Sequence, residues 1–236
     1  MNLSLLLQMA VEGVPDRAAV TCGELSMSYG EMLRAAQAMS MRVGASRAEA
    51  VCYLGRNGRA FSIALFAAAI AGRPFIPLNY RLPDEQLRRL VQRCAPTILI
   101  ANSDHATRVS DLDTVEIIDT TEIETLHLGP EPASGDGESD PDMVAVQLFT
   151  SGTTGEPKRS LLRHRHLSSY VLNTVDFIGA DEREALLVSV PPYHIAAVAS
   201  VLTSVYGGRR MVLLPEFKAE DWVAAALDRA VTHAMV

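Results

Sequence analysis

The chain has 236 residues, 48% hydrophobic and 21% charged, with a formal charge of −7 from 21 basic and 28 acidic residues. That supports a sizeable core in one large domain or two small ones and excludes a disordered chain. No basic block or arginine-rich face is present, which argues against nucleic acid as a partner. Cys22, Cys52 and Cys94 show no CxxC spacing and point to reduced thiols in a cytoplasmic protein. No basic residue precedes Leu5-Leu6-Leu7, which speaks against a secretory signal. The longest apolar stretch, Ala60 to Ala71, falls short of the ~20 residues of a membrane span, so none is expected.

Strand-like and helix-like segments alternate. Ser4–Glu12 reads as a helix stopped by Gly13 and Pro15, and Ala18–Cys22 with Leu25–Ser28 as a hairpin across Gly23-Glu24. A helix over Tyr29–Met41 leads to a strand at Ala50–Leu54. Asn57-Gly58 opens a helix through Ala71 that is apolar on every side, as a buried helix is. Gly72 ends it, and Pro74–Leu78 is the next strand. Pro83 starts a helix to Arg93, and Thr97–Ala101 is a strand. This rhythm implies parallel strands with helices on their faces, an α/β fold.

From Gly129 to Asp142 the chain is acidic and turn-rich. It reads as a linker between an α/β subdomain over 1–128 and a second over 143–236. The second carries an apolar strand at Met143–Phe149, a helix from Arg165 to Phe177 and a strand at Ala185–Val190. A helix at Ile195–Tyr206, a strand at Arg210–Leu214 and a helix at Asp221–Arg229 follow. Val231–Val236 has strand character with no polar tail behind it, which gives the expectation of an N-terminal piece of a longer protein.

Thr150-Ser-Gly-Thr-Thr-Gly-Glu-Pro-Lys158 carries the chemistry. Glycines let backbone N–H groups approach a polyphosphate, hydroxyls donate to its oxygens, and a lysine supplies a point charge. Lys158, Arg159, Arg163 and Arg165 are expected to keep the neighbourhood electropositive. The spacing fails the G-x-x-x-x-G-K-[ST] loop, and G-x-G-x-x-G is absent, which disfavours a Walker-type ATPase, a dinucleotide fold and a protein kinase. His164 and His166 are expected as solvated residues at a helix start, and Trp222 as helix packing against a sheet.

Phe149-Thr-Ser-Gly-Thr-Thr-Gly-Glu-Pro-Lys158 resembles the signature loop of the adenylate-forming superfamily of acyl- and aryl-CoA synthetases, adenylation domains and luciferases. Ala71–Tyr80, with Pro83–Leu87 behind it, resembles the family's early "AGxxxxPLN" element. Val190–His194 resembles "PLFH", and Tyr206–Leu214 resembles the "GG…VVL" strand. The resemblance covers the chain in order and matches the first part of a family member's large N-terminal α/β domain. The family's adenine-stacking "YGxTE" segment, ribose-binding Asp, hinge and catalytic Lys have no counterpart before Val236.

The resemblance implies activation of a carboxylic acid by ATP to an acyl-adenylate, then thioester formation with coenzyme A or a carrier-protein thiol. Thr150, Ser151, Gly152, Thr153, Thr154, Gly155 and Lys158 are then the nucleotide-binding residues, with Thr154 as a contact to Mg2+. Tyr193 and His194 border the acid, and small residues at Ala196, Ala197 and Ala199 leave room for a bulky one. Family members carry Gly where this chain has Arg159, which is either strained, if that position needs positive φ, or an added phosphate contact. On its own the chain is expected not to turn over. A non-catalytic nucleotide-binding remnant is the rival reading from another class.

Overall fold

The computed structural model describes residues 1–129, 140–150 and 157–234. Helix α1 (Ser4–Gly13) is followed by the expected hairpin of β1 (Ala18–Cys22) and β2 (Leu25–Ser28), turned at Gly23 with φ +59°. A left-handed turn residue of this kind favours glycine. Helix α2 (Tyr29–Ala45) starts on a capping box. The Ser28 hydroxyl accepts from the Glu31 N–H at 3.2 Å, and the Glu31 carboxylate accepts from the Ser28 N–H at 2.7 Å. Met32, Ala35, Ala36, Met39 and Val43 then recur at helical spacing on its buried face.

The next elements follow the expected rhythm: β3 (Ala50–Leu54), α3 (Arg59–Ile70), β4 (Phe75–Pro77), α4 (Asp84–Cys94) and β5 (Thr97–Ala101). Beyond them lie α5 (Ser103–Ala106), β6 (Val115–Asp119), α6 (Thr120–Glu124) and a 3-10 turn over Leu126–Leu128, none of them expected from sequence. Strand β7 (Val144–Thr150) leads into β8 (Lys158–Arg163), which was also not foreseen. Its Lys-Arg-Ser-Leu-Leu-Arg composition reads as loop, yet charged, exposed residues suit a strand at a sheet edge. Then come α7 (His164–Leu172), β9 (Ala185–Val188), α8 (Ile195–Gly207), β10 (Arg210–Leu213), α9 (Ala219–Asp228) and β11 (His233–Ala234). Helix α7 stops five residues short of the expected Phe177, where Asn173 folds its amide back onto the Ser169 carbonyl at 2.6 Å.

Two sheets result. One has the order β6-β5-β3-β4-β7-β8, parallel except for the β7–β8 pair, and the other β11-β9-β10-β1-β2, parallel except for β1–β2. Each sheet draws strands from both sides of residues 129–142, so the division into 1–128 and 143–236 does not coincide with the sheets. Helices α1, α2, α3 and α8 lie between the sheets around one large core. That position explains the all-round apolar α3, whose residues from Arg59 to Ala69 are all buried. At its centre Tyr53, Phe61 and Phe75 pack edge to face, with Phe61 5.3 and 5.4 Å from the other two. Helix α4 covers the outer face of the six-stranded sheet, and α9 that of the five-stranded one. Trp222 packs there against Ala185, Leu187 and Val212, as its helix position predicts.

Candidate active site

Strand β7 ends at Thr150, and β8 returns antiparallel from Lys158 with Thr150 and Lys158 as directly paired residues. Paired residues on neighbouring strands sit about 5 Å apart and project to the same face. The hydroxyl and the ammonium thus stand at the two ends of the hydroxyl- and glycine-rich sequence 151–156, both exposed. Ser151, Gly152, Thr153, Thr154 and Gly155 lie outside the described residues, and with them the expected Mg2+ contact at Thr154. Among the described residues no group of three or more His, Cys, Asp or Glu side chains could hold a metal ion.

The other cations divide. Arg159 lies in extended β8 opposite Phe149, so the strain considered for it does not arise; the described non-glycine residues with positive φ are Ile178 and Ala230. Its guanidinium donates to the Arg93 carbonyl at 2.6 Å, where the last turn of α4 favours a cation. Arg159 and Arg93 also lie 5.8 and 5.5 Å from the centre of the Phe149 ring. Arg163 and Arg165 do not join Lys158. Arg163 is five residues along β8, about 17 Å away at 3.3 Å per residue. Both are held by Asp142, Arg163 through its carbonyl and Arg165 through its carboxylate at 2.8 Å.

His164 departs from expectation as well. It is buried, and its Nδ1 accepts the Leu3 N–H at 3.2 Å, which ties the N-terminal segment to the start of α7. Burial lowers its pKa to about 4. His166 is exposed, as expected, and accepts the Arg163 N–H at 3.3 Å.

Tyr193 and His194 follow β9 across Pro191-Pro192. Asn57, in the turn between β3 and α3, is buried, and its amide donates to the carbonyls of Val190 and Leu214, each at 3.0 Å. One side chain thus fixes the exits of β9 and β10 against the six-stranded sheet. His194 occupies the N-cap position of α8 through its backbone, but its side chain makes no capping hydrogen bond and is exposed. His194 is among the residues that line a cleft at this point. Ala197 faces the central core instead, 1% exposed, so it does not contribute the space assigned to it.

These segments enclose a cleft of about 500 Å³ at the carboxyl ends of β4 and β7. One wall is Asn79, Leu82, Gln86 and Leu90, from the turn after β4 and from α4. Another is Leu148, Phe149 and Thr150 with Pro157, and the third is Tyr193, His194 and Ile195. Ligands of open α/β sheets bind outside the carboxyl ends of the strands. The structure brings Thr150, Tyr193 and His194 to one cavity; Lys158 does not line it, but follows the lining residue Pro157 and pairs with Thr150. Asn79, Leu82, Gln86 and Phe149 were not singled out from sequence. The Pro77-Leu78-Asn79 and Pro83–Leu87 segments were noted, and their position after a strand was the available signal. Apolar walls, a few polar groups and a lysine on the strand position paired with Thr150 suit a ligand with an apolar body and an anionic end.

The architecture is that of the N-terminal domain of adenylate-forming enzymes. The N-terminal domain of FACL13 from Mycobacterium tuberculosis superposes with a TM-score of 0.83 at 22% identity, covering 99% of this chain and 62% of that one. The chain belongs to the AMP-binding enzyme family, which it matches over residues 7–236. Among curated relatives it is similar to a feruloyl-CoA synthase of an Amycolatopsis species, 30% identical over 92% of this chain and 45% of the relative. An indoleacetate–CoA ligase of Aromatoleum aromaticum is 26% identical over 92% of this chain and 46% of the relative. The chain thus spans about half the length of these relatives. Among the described residues no helix is long and apolar enough to cross a membrane.

Proposed function

We propose that this chain carries the phosphate-facing and acid-facing walls of an acyl- or aryl-CoA ligase, which activates a hydrophobic carboxylic acid with ATP. The observation that carries the reading is that Thr150, paired with Lys158, lines the same cleft as Tyr193 and His194. In the first step a carboxylate oxygen attacks the α-phosphorus of ATP, and the bond to pyrophosphate breaks. Both reactants are anions, so charge neutralisation dominates the barrier. Lys158 supplies a point charge toward the departing pyrophosphate, and Thr150 donates a hydroxyl to a phosphate oxygen. Tyr193 and His194 border the acid, whose apolar body lies against Leu82, Leu148, Phe149 and Ile195. In the second step a thiol sulfur attacks the acyl carbon, and AMP leaves. Coenzyme A is the proposed thiol, supported by the names of both relatives; a carrier-protein thiol would give the same bond changes.

Mg2+ would neutralise phosphate charge when bound; of the chain's own residues Thr154 is its proposed contact. Because the matched relatives are about twice as long, residues 1–236 alone are proposed to contribute these walls without turning over. Mass spectrometry of products made by the full-length protein from ATP, coenzyme A and aryl, arylalkyl or fatty acids tests the reading. An acyl-adenylate followed by an acyl-CoA is expected with at least one acid, and hydrolysis of ATP to ADP with neither acyl product contradicts it.

A further inference from the structure

His105 stands apart from the cleft, on α5, and does not line it. It is nonetheless connected to it through a run of rings. The imidazole lies flat against Tyr80, with centroids 5.1 Å apart and planes inclined by 20°. Tyr80 meets Tyr193 edge to face at 5.6 Å and 73°, and Tyr193 meets His194 at 4.6 Å. Tyr80 and His105 are 6% and 8% exposed, so the inner half of the run cannot relax into solvent. The backbone that carries Tyr80 is held from the same direction. Arg108, just after α5, donates to the carbonyls of Tyr80 at 2.7 Å and Leu82 at 2.5 Å. The turn after β4 thus has its backbone fixed by Arg108 and its ring backed by His105.

The imidazole pays for this position: its Nε2 is buried with no hydrogen-bond partner among the described residues. A group that merely filled space would be better served by a hydrocarbon of the same size. A flat ring at this point does something a branched aliphatic cannot, because it presents a face parallel to Tyr80 and leaves the Tyr80 edge aimed at Tyr193.

We propose that His105 is a positioning residue that sets the affinity for the carboxylic acid by stacking beneath Tyr80 and so fixing the placement of Tyr193 and His194 in the cleft. The inference rests on the reading of the cleft as the acid site. Its signature is a split between substrates. The ring run touches the acid wall and not the Thr150–Lys158 pair, so the KM for acid moves and the KM for ATP does not. An aromatic contact of this kind corresponds to at most about tenfold in affinity.

The test is acid-dependent ATP–pyrophosphate exchange by the full-length protein, with His105→Ala, His105→Leu and His105→Phe against wild type. His105→Ala and His105→Leu are expected to raise the KM for acid by roughly five- to tenfold, with the KM for ATP within about twofold. His105→Phe, which keeps the stacked face and removes the orphaned nitrogen, is expected to restore the acid KM. If His105→Ala does not fold, His105→Leu against His105→Phe makes the same comparison. A wild-type acid KM in His105→Leu, parallel rises in both KM values, or no rescue by His105→Phe would overturn the proposal. Crystal structures of the Leu and Phe variants separate this from the functional reading. Tyr193 displaced in Leu and restored in Phe upholds the positioning role even if no acid supports exchange; Tyr193 unmoved in both overturns it.

Discussion

At the scale of single residues, burial decides chemistry more than residue type does. His164 and His166 are two positions apart, yet one is a buried acceptor for a backbone N–H and the other is solvated. The buried ring stays neutral in the fold, with its pKa lowered from 6.5 to about 4, while the unfolded chain protonates it normally. Between those values the unfolded state binds more protons, so stability is full above about pH 6.5 and falls as pH drops toward about 4. The full effect is at most about 3 kcal/mol. His164→Asn keeps an acceptor for the Leu3 N–H without titrating. Urea unfolding near pH 7 and near pH 4.5 should show the variant losing about 2 kcal/mol less than wild type across that interval. Equal losses would remove His164 as the titrating group. Sequence alone could not separate the two histidines, because what buries His164 is a segment some 160 positions away.

At the scale of elements, side chains from distant turns supply what each helix or strand lacks. Gly58 gives α3 no side-chain cap. Glu124, at the end of α6, takes that role by accepting the Ala60 N–H at 3.1 Å and pairing with Arg59 at 2.8 Å. Both partners are largely buried, at 10% and 19% side-chain exposure. Glu124→Ala strands the guanidinium and should cost about 3 kcal/mol, read as a fall in the denaturant midpoint without a change in slope. Asn57 plays the corresponding part for the site. Asn57→Ala leaves the Val190 and Leu214 carbonyls without their donor, which should cost about 2 kcal/mol and raise the acid KM of the full-length protein, because Tyr193-His194 lose their anchor. A variant that is destabilised with an unchanged acid KM would limit Asn57 to a structural role.

The regular elements were legible because their patterns are local. Short continuous apolar runs, of the kind fully buried parallel strands show, match β3 and β5 to the residue, and an all-round apolar run matches α3 to within one residue. Strand β8 and the α5–β6–α6 stretch were not legible. The Lys-Arg-Ser-Leu-Leu-Arg of β8 reads as strand only once β7 is laid antiparallel beside it. The short Val-Glu-Ile-Ile-Asp run of β6, though β-branched, is flanked by one-turn helices too brief to show a period of their own. The candidate site was legible as motifs, Thr150 to Lys158 and Tyr193-His194. Its remaining wall, Asn79, Leu82 and Gln86, emerges once β4 is laid beside β7.

At the scale of the whole molecule, the two sheets interleave the chain. β1 pairs with β10, and β4 with β7, so each sheet closes across the segment at 129–142. The cleft lies where the exits of both sheets meet, which makes its geometry a property of the assembled domain. Tyr29 illustrates the closure: its buried hydroxyl, shared between the Ser204 carbonyl at 3.1 Å and the Arg209 carbonyl at 2.9 Å, joins the start of α2 to the end of α8. Tyr29→Phe should lower stability by about 1–2 kcal/mol while leaving the fold intact, as followed by thermal unfolding. The central claim is that Lys158, across from Thr150, grips the pyrophosphate end of ATP beside an acid-binding cleft. Acid-dependent ATP–pyrophosphate exchange by the full-length protein, wild type against Lys158→Ala, tests it most directly. The account predicts exchange with at least one hydrophobic acid and a drop of about 10²-fold in its kcat in the variant. Exchange at the wild-type rate in Lys158→Ala, or no exchange by wild type with any acid, would contradict it.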